Sequence, residues 1–512
     1  MLVPMTLNHF IDRAEKVYPN RVGLVDEPNQ PAESWGTMTY GEVATKAREQ
    51  AAALDAMGVG FGERVAIVSQ NSSRLQTALL GLPANGRVAV PINFRLVRAE
   101  VAYIVDHCGA SVLMIDPELE DELGDIDCKH KFIIGAESDK DLYLPDVEPV
   151  AWDQDELATA TINYTSGTTA RPKGVEQQHR ALWVNATTFG WHTGVSDRDV
   201  YLHTLPQFHC NGWGMPFAAA GMGVPQVVLR KVDGPEILKR VAEHGVTLMC
   251  GAPAVVTAAV NAAADMASEE VPGRDNVRMV VAGAPPPTDT IVKMERDLGW
   301  EFIQIYGLTE TAPLLTINRC RSEWDDLSDE DRAARLVRAG APAIGVNMKV
   351  SQSGELLAQG NQVLNTYWEQ PAETALALEG GWFHTGDGGQ LDDEGYYSIT
   401  DRKKDVIISG GENISSIEVE DALFSHASVA EVAVVGVPSE KWGETPKALV
   451  VLAAGTEASE QELIAHCRDR LTHYKCPTSV EFRDALERTA TGKLQKYKLR
   501  APYWEHLDRN IN

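Results

Sequence analysis

Through roughly the first 400 residues, short apolar runs of strand length alternate with amphipathic helical patterns, and that rhythm leaves few folds open. Residues 40–57 read as an amphipathic helix and residues 64–68 and 88–91 as strands. The same beat returns at 111–115, 200–205, 226–229, 247–250 and 277–282. This is the pattern of an α/β protein whose sheets are covered by helices. After Gly395-Tyr396-Tyr397-Ser398-Ile399 the pattern changes to a charged stretch at 401–405. A compact βαβ-like tail follows, with strands at 431–437 and 447–453 and a helix at 459–471. A boundary near Lys403 or Lys404 gives a large, multi-subdomain N-terminal domain over 1–402 and a small α+β C-terminal domain over 403–512. Two domains suit a chain of 512 residues, because single cores stop growing at about 250–300.

The charge balance removes whole classes of function. A net charge of -27 disfavours nucleic acid and anionic lipid, both of which demand a basic surface. The acidic run at 116–127 reads as solvated surface. Seven scattered cysteines, with no C-x-x-C pair among them, read as reduced thiols. His209 beside Cys210 raises a cysteine-hydrolase reading, but no hydrolase signature surrounds the pair. The first residues lack the apolar core of a secretory signal, and no run reaches ~18 apolar residues. The expected location is therefore cytoplasmic, without integral membrane association, and a homodimer is compatible with the composition.

The most informative segment is Tyr164-Thr165-Ser166-Gly167-Thr168-Thr169-Ala170-Arg171-Pro172-Lys173-Gly174. Four hydroxyls, two glycines that permit close backbone approach and one lysine are equipment for a polyphosphate. A Walker A loop requires Gly-Lys-Ser/Thr opening a helix, whereas here Lys173 precedes Gly174 and Val175 follows. A polar surface turn is the competing reading. Val277-Arg278-Met279-Val280-Val281-Ala282 runs into Gly283-Ala284-Pro285, a strand feeding a tight turn. Ligands in α/β folds sit beyond such strand ends.

The segment resembles the phosphate-binding signature of the adenylate-forming superfamily, which includes acyl-CoA and aryl-CoA synthetases, luciferases and nonribosomal adenylation domains. Tyr306-Gly307-Leu308-Thr309-Glu310-Thr311, Trp382-Phe383-His384-Thr385-Gly386-Asp387, Asp401-Arg402-Lys403-Lys404-Asp405 and Thr491-Gly492-Lys493 match later motifs in the family's order. The resemblance covers the chain from about residue 160 onward.

The resemblance implies ATP, Mg²⁺ and CoA as reactants or cofactors and a small carboxylic acid as substrate. Thr165, Ser166, Gly167, Thr168, Thr169 and Lys173 would hold the departing pyrophosphate. Glu310 would coordinate Mg²⁺, with Thr309 on the α-phosphate; alone, the pair also reads as a helix cap and first turn. Tyr306 would pack on adenine beside Gly307, or be a core tyrosine. Asp387 would accept from the ribose diol and Arg402 would add a second contact; singly these read as a turn and a surface charge. Lys493 would supply positive charge during adenylation, although Leu486-Glu487-Arg488 stands where the family usually has a proline. Lys404 would be the hinge about which a mobile C-terminal domain swings. Gly410, Gly411 and Glu412 would wall the pantetheine tunnel, or form a glycine turn. Lys441 and Trp442 would meet the CoA nucleotide.

For the acyl pocket the resemblance points to His209 and Trp213 in Phe208-His209-Cys210-Asn211-Gly212-Trp213, to Gly283-Ala284-Pro285, and to Gly307, Ala312 and Pro313. His209 and Trp213 also read as core residues. The mixture is apolar and implies a simple hydrophobic acid, with Trp213 shortening the cavity. The Phe-His-Cys-Asn-Gly-Trp string is similar to bacterial medium-chain acyl-CoA and methylmercaptopropionate-CoA ligases. Rival readings share the first step: acyl-AMP ligases and amide-bond synthetases with other acceptors. A noncatalytic relative is a third, against which intact Lys173, Glu310, Asp387 and Lys493 stand.

Overall fold

The computed structural model describes residues 2–165, 172–283, 286–402, 405–409, 412–439, 441–488 and 494–505. Three sheets carry the chain as far as Arg402, of nine, seven and four strands, and a five-stranded sheet follows it. Sheet membership changes between the strands Tyr397–Arg402 and Ile407–Ser409.

The predicted strands exist because they are buried on both faces. Arg64–Val68 pairs in parallel with Val88–Ile92 on one side and Ala110–Ile115 on the other. All five residues of Val88–Ile92 are buried, as are the four of Leu248–Gly251. Such strands read as unbroken apolar runs, since helices cover each face of a parallel sheet. The helix Tyr40–Ala56 starts where Thr39 accepts from the Glu42 amide and Glu42 answers at the Thr39 amide, a capping box. Ser72, Asp233 and Ser459 each accept from the amide three residues on, and Ser459 completes a second capping box with Glu462, each cap being worth about 1 kcal/mol.

The tail holds a βαβ unit where the sequence reading puts one, preceded by one further strand. Val429–Ser439 and Gly443–Leu452 form an antiparallel hairpin. The parallel crossover comes one strand later, where helix Glu460–Arg468 carries the chain from Gly443–Leu452 to Ser479–Phe482. Two long strands joined by a short link can only return antiparallel; parallel return needs a dozen or more residues.

Among the described residues no helix is long and apolar enough to cross a membrane. All seven cysteines are unpaired.

Candidate active site

The seven-stranded and nine-stranded sheets both send strand ends toward one cleft of about 2140 Å³. Single-ligand pockets run to about 300–1,000 Å³, so this one has room for more than one reactant. Its lining is apolar near Phe208, Ala254, Ala258 and Ile305, and polar near Lys173, Glu310 and Asp387.

The strand Thr159–Thr165 turns back as Lys173–Gln178, and the last rung of this antiparallel pair is Thr165 opposite Lys173. Ser166, Gly167, Thr168 and Thr169 lie outside the described residues. Lys173 is ion-paired with Glu373 and sits 5.2 Å from the Tyr367 ring centroid. The Tyr367 hydroxyl donates to Glu310 Oε1 at 2.9 Å. Burial first, then the Glu310 charge, push that hydroxyl's pKa up, so it stays a donor. Tyr367 thus touches both the lysine and the carboxylate that the sequence singles out.

The strand Glu301–Gly307 delivers Tyr306, whose hydroxyl donates to Asp387 Oδ2 at 2.8 Å. Asp387 is buried and lies opposite Arg402 in the ladder between Phe383–Leu391 and Tyr397–Arg402. The Arg402 side chain is outside the described atoms. Beyond Tyr306 the backbone folds tightly over itself. A Cβ on Gly307 would stand 1.6 Å from the Pro313 carbonyl oxygen, so no larger residue fits. The Thr309 carbonyl accepts from Gln177 Nε2 at 2.6 Å, tying the Thr309–Thr311 turn to the Lys173 strand.

The opposite wall is a turn of unusual hand. Cys210, Asn211, Gly212, Trp213 and Gly214 all have positive φ, between 47° and 78°. For L-residues this costs about 1–2 kcal/mol each, least for Asn and none for Gly. Buried amides hold it. Asn211 Nδ2 donates to Asn163 Oδ1 at 3.1 Å and to Thr161 Oγ1 at 3.0 Å. Asn163 Nδ2 answers to Asn211 Oδ1 at 3.2 Å and to the Phe208 carbonyl at 3.3 Å. Asn185 Nδ2 caps the Trp213 carbonyl at 3.1 Å, and its Oδ1 accepts from the Leu314 amide at 3.1 Å. A Cβ on Gly214 would lie 2.4 Å from Asn185 Nδ2.

His209, Trp213, Gly283, Gly307 and Pro313 line the cleft as read from sequence, whereas Ala312 is fully buried behind it. Ala284 and Pro285 lie outside the described residues. Cys210 is buried, and burial, and then Glu310, push its thiol up.

The C-terminal part completes the lining with Glu418, Lys475, Arg488 and Lys496. Each cation has a carboxylate: Lys475 with Glu418 at 2.7 Å, Lys496 with Glu420 at 2.8 Å and Arg488 with Glu431 at 2.7 Å. Asp421 accepts from the Thr288 amide at 3.1 Å, a contact between the two parts of the chain. Lys493 lies outside the described residues, but a backbone bridge between Arg488 and Leu494 closes the segment that carries it. Gln495 donates to the Glu487 carbonyl at 2.8 Å beside that bridge. Lys404, Gly410 and Gly411 are likewise outside the described residues. Glu412 pairs with Ser409 in the Ile407–Ser409 and Glu412–Ile414 hairpin. Lys441 lies over the Trp442 ring at 4.5 Å, on the hairpin link and away from the cleft lining.

Sequence reasoning passed over Tyr367, Glu373, Asn163, Asn185 and Asn211. The Asn211-Gly212 pair and Gly214 were a usable signal, because Asn and Gly are the residues that tolerate positive φ.

Comparison with known proteins agrees with this geometry. The AMP-binding enzyme family matches residues 11–368, and the AMP-binding enzyme C-terminal domain matches residues 418–493. A 4-hydroxybutyrate–CoA ligase of Metallosphaera sedula is 35% identical, over 96% of this chain and 93% of that protein. The anthranilate CoA ligase AuaEII in complex with anthranoyl-AMP superposes with a TM-score of 0.87 at 26% identity, covering 98% of both chains. The o-succinylbenzoate CoA synthetase of Bacillus subtilis in complex with ATP and magnesium ion gives 0.82 at 28% identity, covering 96% of this chain and 99% of that one. With both family matches in chain order and CoA ligases matched over nearly the full length, the chain belongs to the AMP-binding enzymes, on their acid–thiol ligase branch.

Proposed function

We propose that the chain joins a hydrophobic carboxylic acid to CoA through an acyl-adenylate formed from ATP. One observation carries the reading: two linked polar sets, Lys173 with Tyr367 and Glu310 and Tyr306 with Asp387, line the same cleft as an apolar group that includes Phe208, Ala254, Ala258 and Ile305. An acid's chain fits the apolar group and its carboxylate meets the polar sets.

In the first half-reaction a carboxylate oxygen bonds to the α-phosphorus of ATP while the bond to the pyrophosphate oxygen breaks. Two anions approach, so cations and donors must offset the repulsion. Lys173 and the 165–169 hydroxyls are assigned to pyrophosphate, Thr309 to the α-phosphate, and Tyr306 with Asp387 to the nucleoside. Arg402 joins Asp387 at the ribose. Mg²⁺, held at Glu310, would neutralise phosphate charge. The donor set fits that ion, because Mg²⁺ takes one or two carboxylates and completes its shell with water and substrate phosphate.

Lys493 is assigned the charge that develops at the carboxylate and α-phosphate. That Arg488 and Leu494, which flank its segment, both line the cleft supports this. In the second half-reaction the CoA sulfur bonds to the acyl carbon and AMP leaves with the electron pair. We place a pivot at Lys404, between a 1–402 and a 403–512 domain. Gly410, Gly411, Glu412, Lys441 and Trp442 are offered for CoA after that rotation, which is why the last two stand off the cleft here. Unpaired thiols fit a cytoplasmic location.

The test is acid-dependent exchange of labelled pyrophosphate into ATP, followed by AMP release on adding CoA. Exchange with an aliphatic acid and CoA-dependent AMP release support the reading. No exchange with any acid of a short, medium, branched and aryl panel overturns it.

A further inference from the structure

We propose that Asn211 is a positioning residue for acid selection, holding the left-handed turn that presents Trp213 and fastening it to the strand that carries the phosphate loop. The inference rests on the adenylate-forming reading above and adds to it a residue outside the reacting groups.

Asn211 is fully buried, as is Thr161, and Asn163 is 2% exposed. Thr161 and Asn163 are two apart on one strand and so face the same side. Their side chains form a closed ring with Asn211, because Thr161 Oγ1 also donates to Asn163 Oδ1 at 3.1 Å. A strained backbone persists only where its surroundings over-determine it. Here the ring clamps the start of the turn while Asn185 clamps its end. His209 and Trp213, which the turn offers to the cleft, hang from the backbone that this set holds at the Phe208 and Trp213 carbonyls. The same strand continues into Tyr164 and Thr165 and so into the phosphate loop. Acid wall and phosphate edge therefore share one anchor, and the depth left for the acid depends on a side chain that never meets it.

Two variants separate this role from a merely structural one. Asn211→Gly keeps the positive φ and deletes the amide. Thr161→Val keeps the shape and deletes the hydroxyl link. Both are assayed by pyrophosphate–ATP exchange with acetate, butyrate, hexanoate and octanoate, with the KM for ATP and Tm measured alongside. One methylene in an apolar pocket is worth about 10–200-fold in kcat/KM, so a loosened wall should move the octanoate-to-butyrate ratio by about fivefold in Asn211→Gly. Thr161→Val should move it in the same direction by about twofold. A loss of folded fraction lowers both acids equally and cancels in the ratio. A ratio unchanged in soluble Asn211→Gly overturns the proposal; should that variant not fold, an unchanged ratio in Thr161→Val does so. A parent enzyme that exchanges with none of the acids overturns the activity itself, and this role with it, which is a different result from an active parent with an unmoved ratio.

Discussion

The two walls of the cleft are held by opposite means. On the N-terminal side, neutral amides with almost no solvent exposure lock Cys210 to Gly214 in a conformation that L-residues avoid. On the C-terminal side, partly exposed ion pairs do the holding, such as Lys475 with Glu418 at 25% and 40% exposure. A buried amide that loses its partner costs about 1–3 kcal/mol, whereas an exposed ion pair is worth about 0–1 kcal/mol and weakens with salt. The first wall is built to keep its shape, and the second is held together less tightly. That contrast suits the proposed reaction, in which one wall would measure the acid and the other would present two different groups.

The largest effect that could break this contrast concerns Lys493. Lys493→Ala should slow adenylate formation by about 10³-fold, in the range of a lost transition-state donor, while sparing thioester formation from preformed acyl-AMP. Equal loss in both half-reactions, measured by single turnover, would remove the idea of an exchangeable wall.

Next comes acid. Burial holds His179, stacked on Trp152 and accepting from the Leu7 amide, neutral with a pKa lowered to about 4, and His203 likewise. A lowered histidine pKa means that the unfolded chain binds the proton first. Stability is therefore full above the ordinary value near 6.5 and falls as pH drops from there toward 4, by up to about 3 kcal/mol per histidine. Urea melts from pH 8 to 4 should show the decline, and His179→Asn should flatten it.

Gly214→Ala sharpens the picture of the rigid wall. The added methyl meets Asn185 and the residue keeps a φ of 78°, so a loss of about 2–3 kcal/mol is expected in denaturant melts. Smallest is Glu418→Gln, which should cost under about 1 kcal/mol, with the difference from the parent vanishing in 1 M salt. A large, salt-independent loss there would show the two walls to be alike.

How much of this was written in the sequence follows from what burial does to local pattern. Arg64–Val68 and Val88–Ile92 were legible because strands covered on both faces leave unbroken apolar runs. The edge formed by Tyr306, Glu310 and Asp387 was legible because the motifs that carry it are contiguous. Tyr367 and Glu373 were not, since their partners Glu310 and Lys173 stand 57 and 200 residues away and no local pattern records such a meeting. The hand of the 210–214 turn left its trace only in Asn211-Gly212 and Gly214, because hydropathy fixes which side chains are buried, not the sign of a backbone angle.

The rung that joins Thr165 to Lys173 has a bearing on engineering. Since the chain leaves and re-enters the sheet at one fixed pair, a graft of foreign sequence between those residues meets the same two attachment points whatever its length. Libraries confined to that interval should alter how nucleotide is gripped while leaving the register of the surrounding strands, and the acid wall fastened to them, untouched.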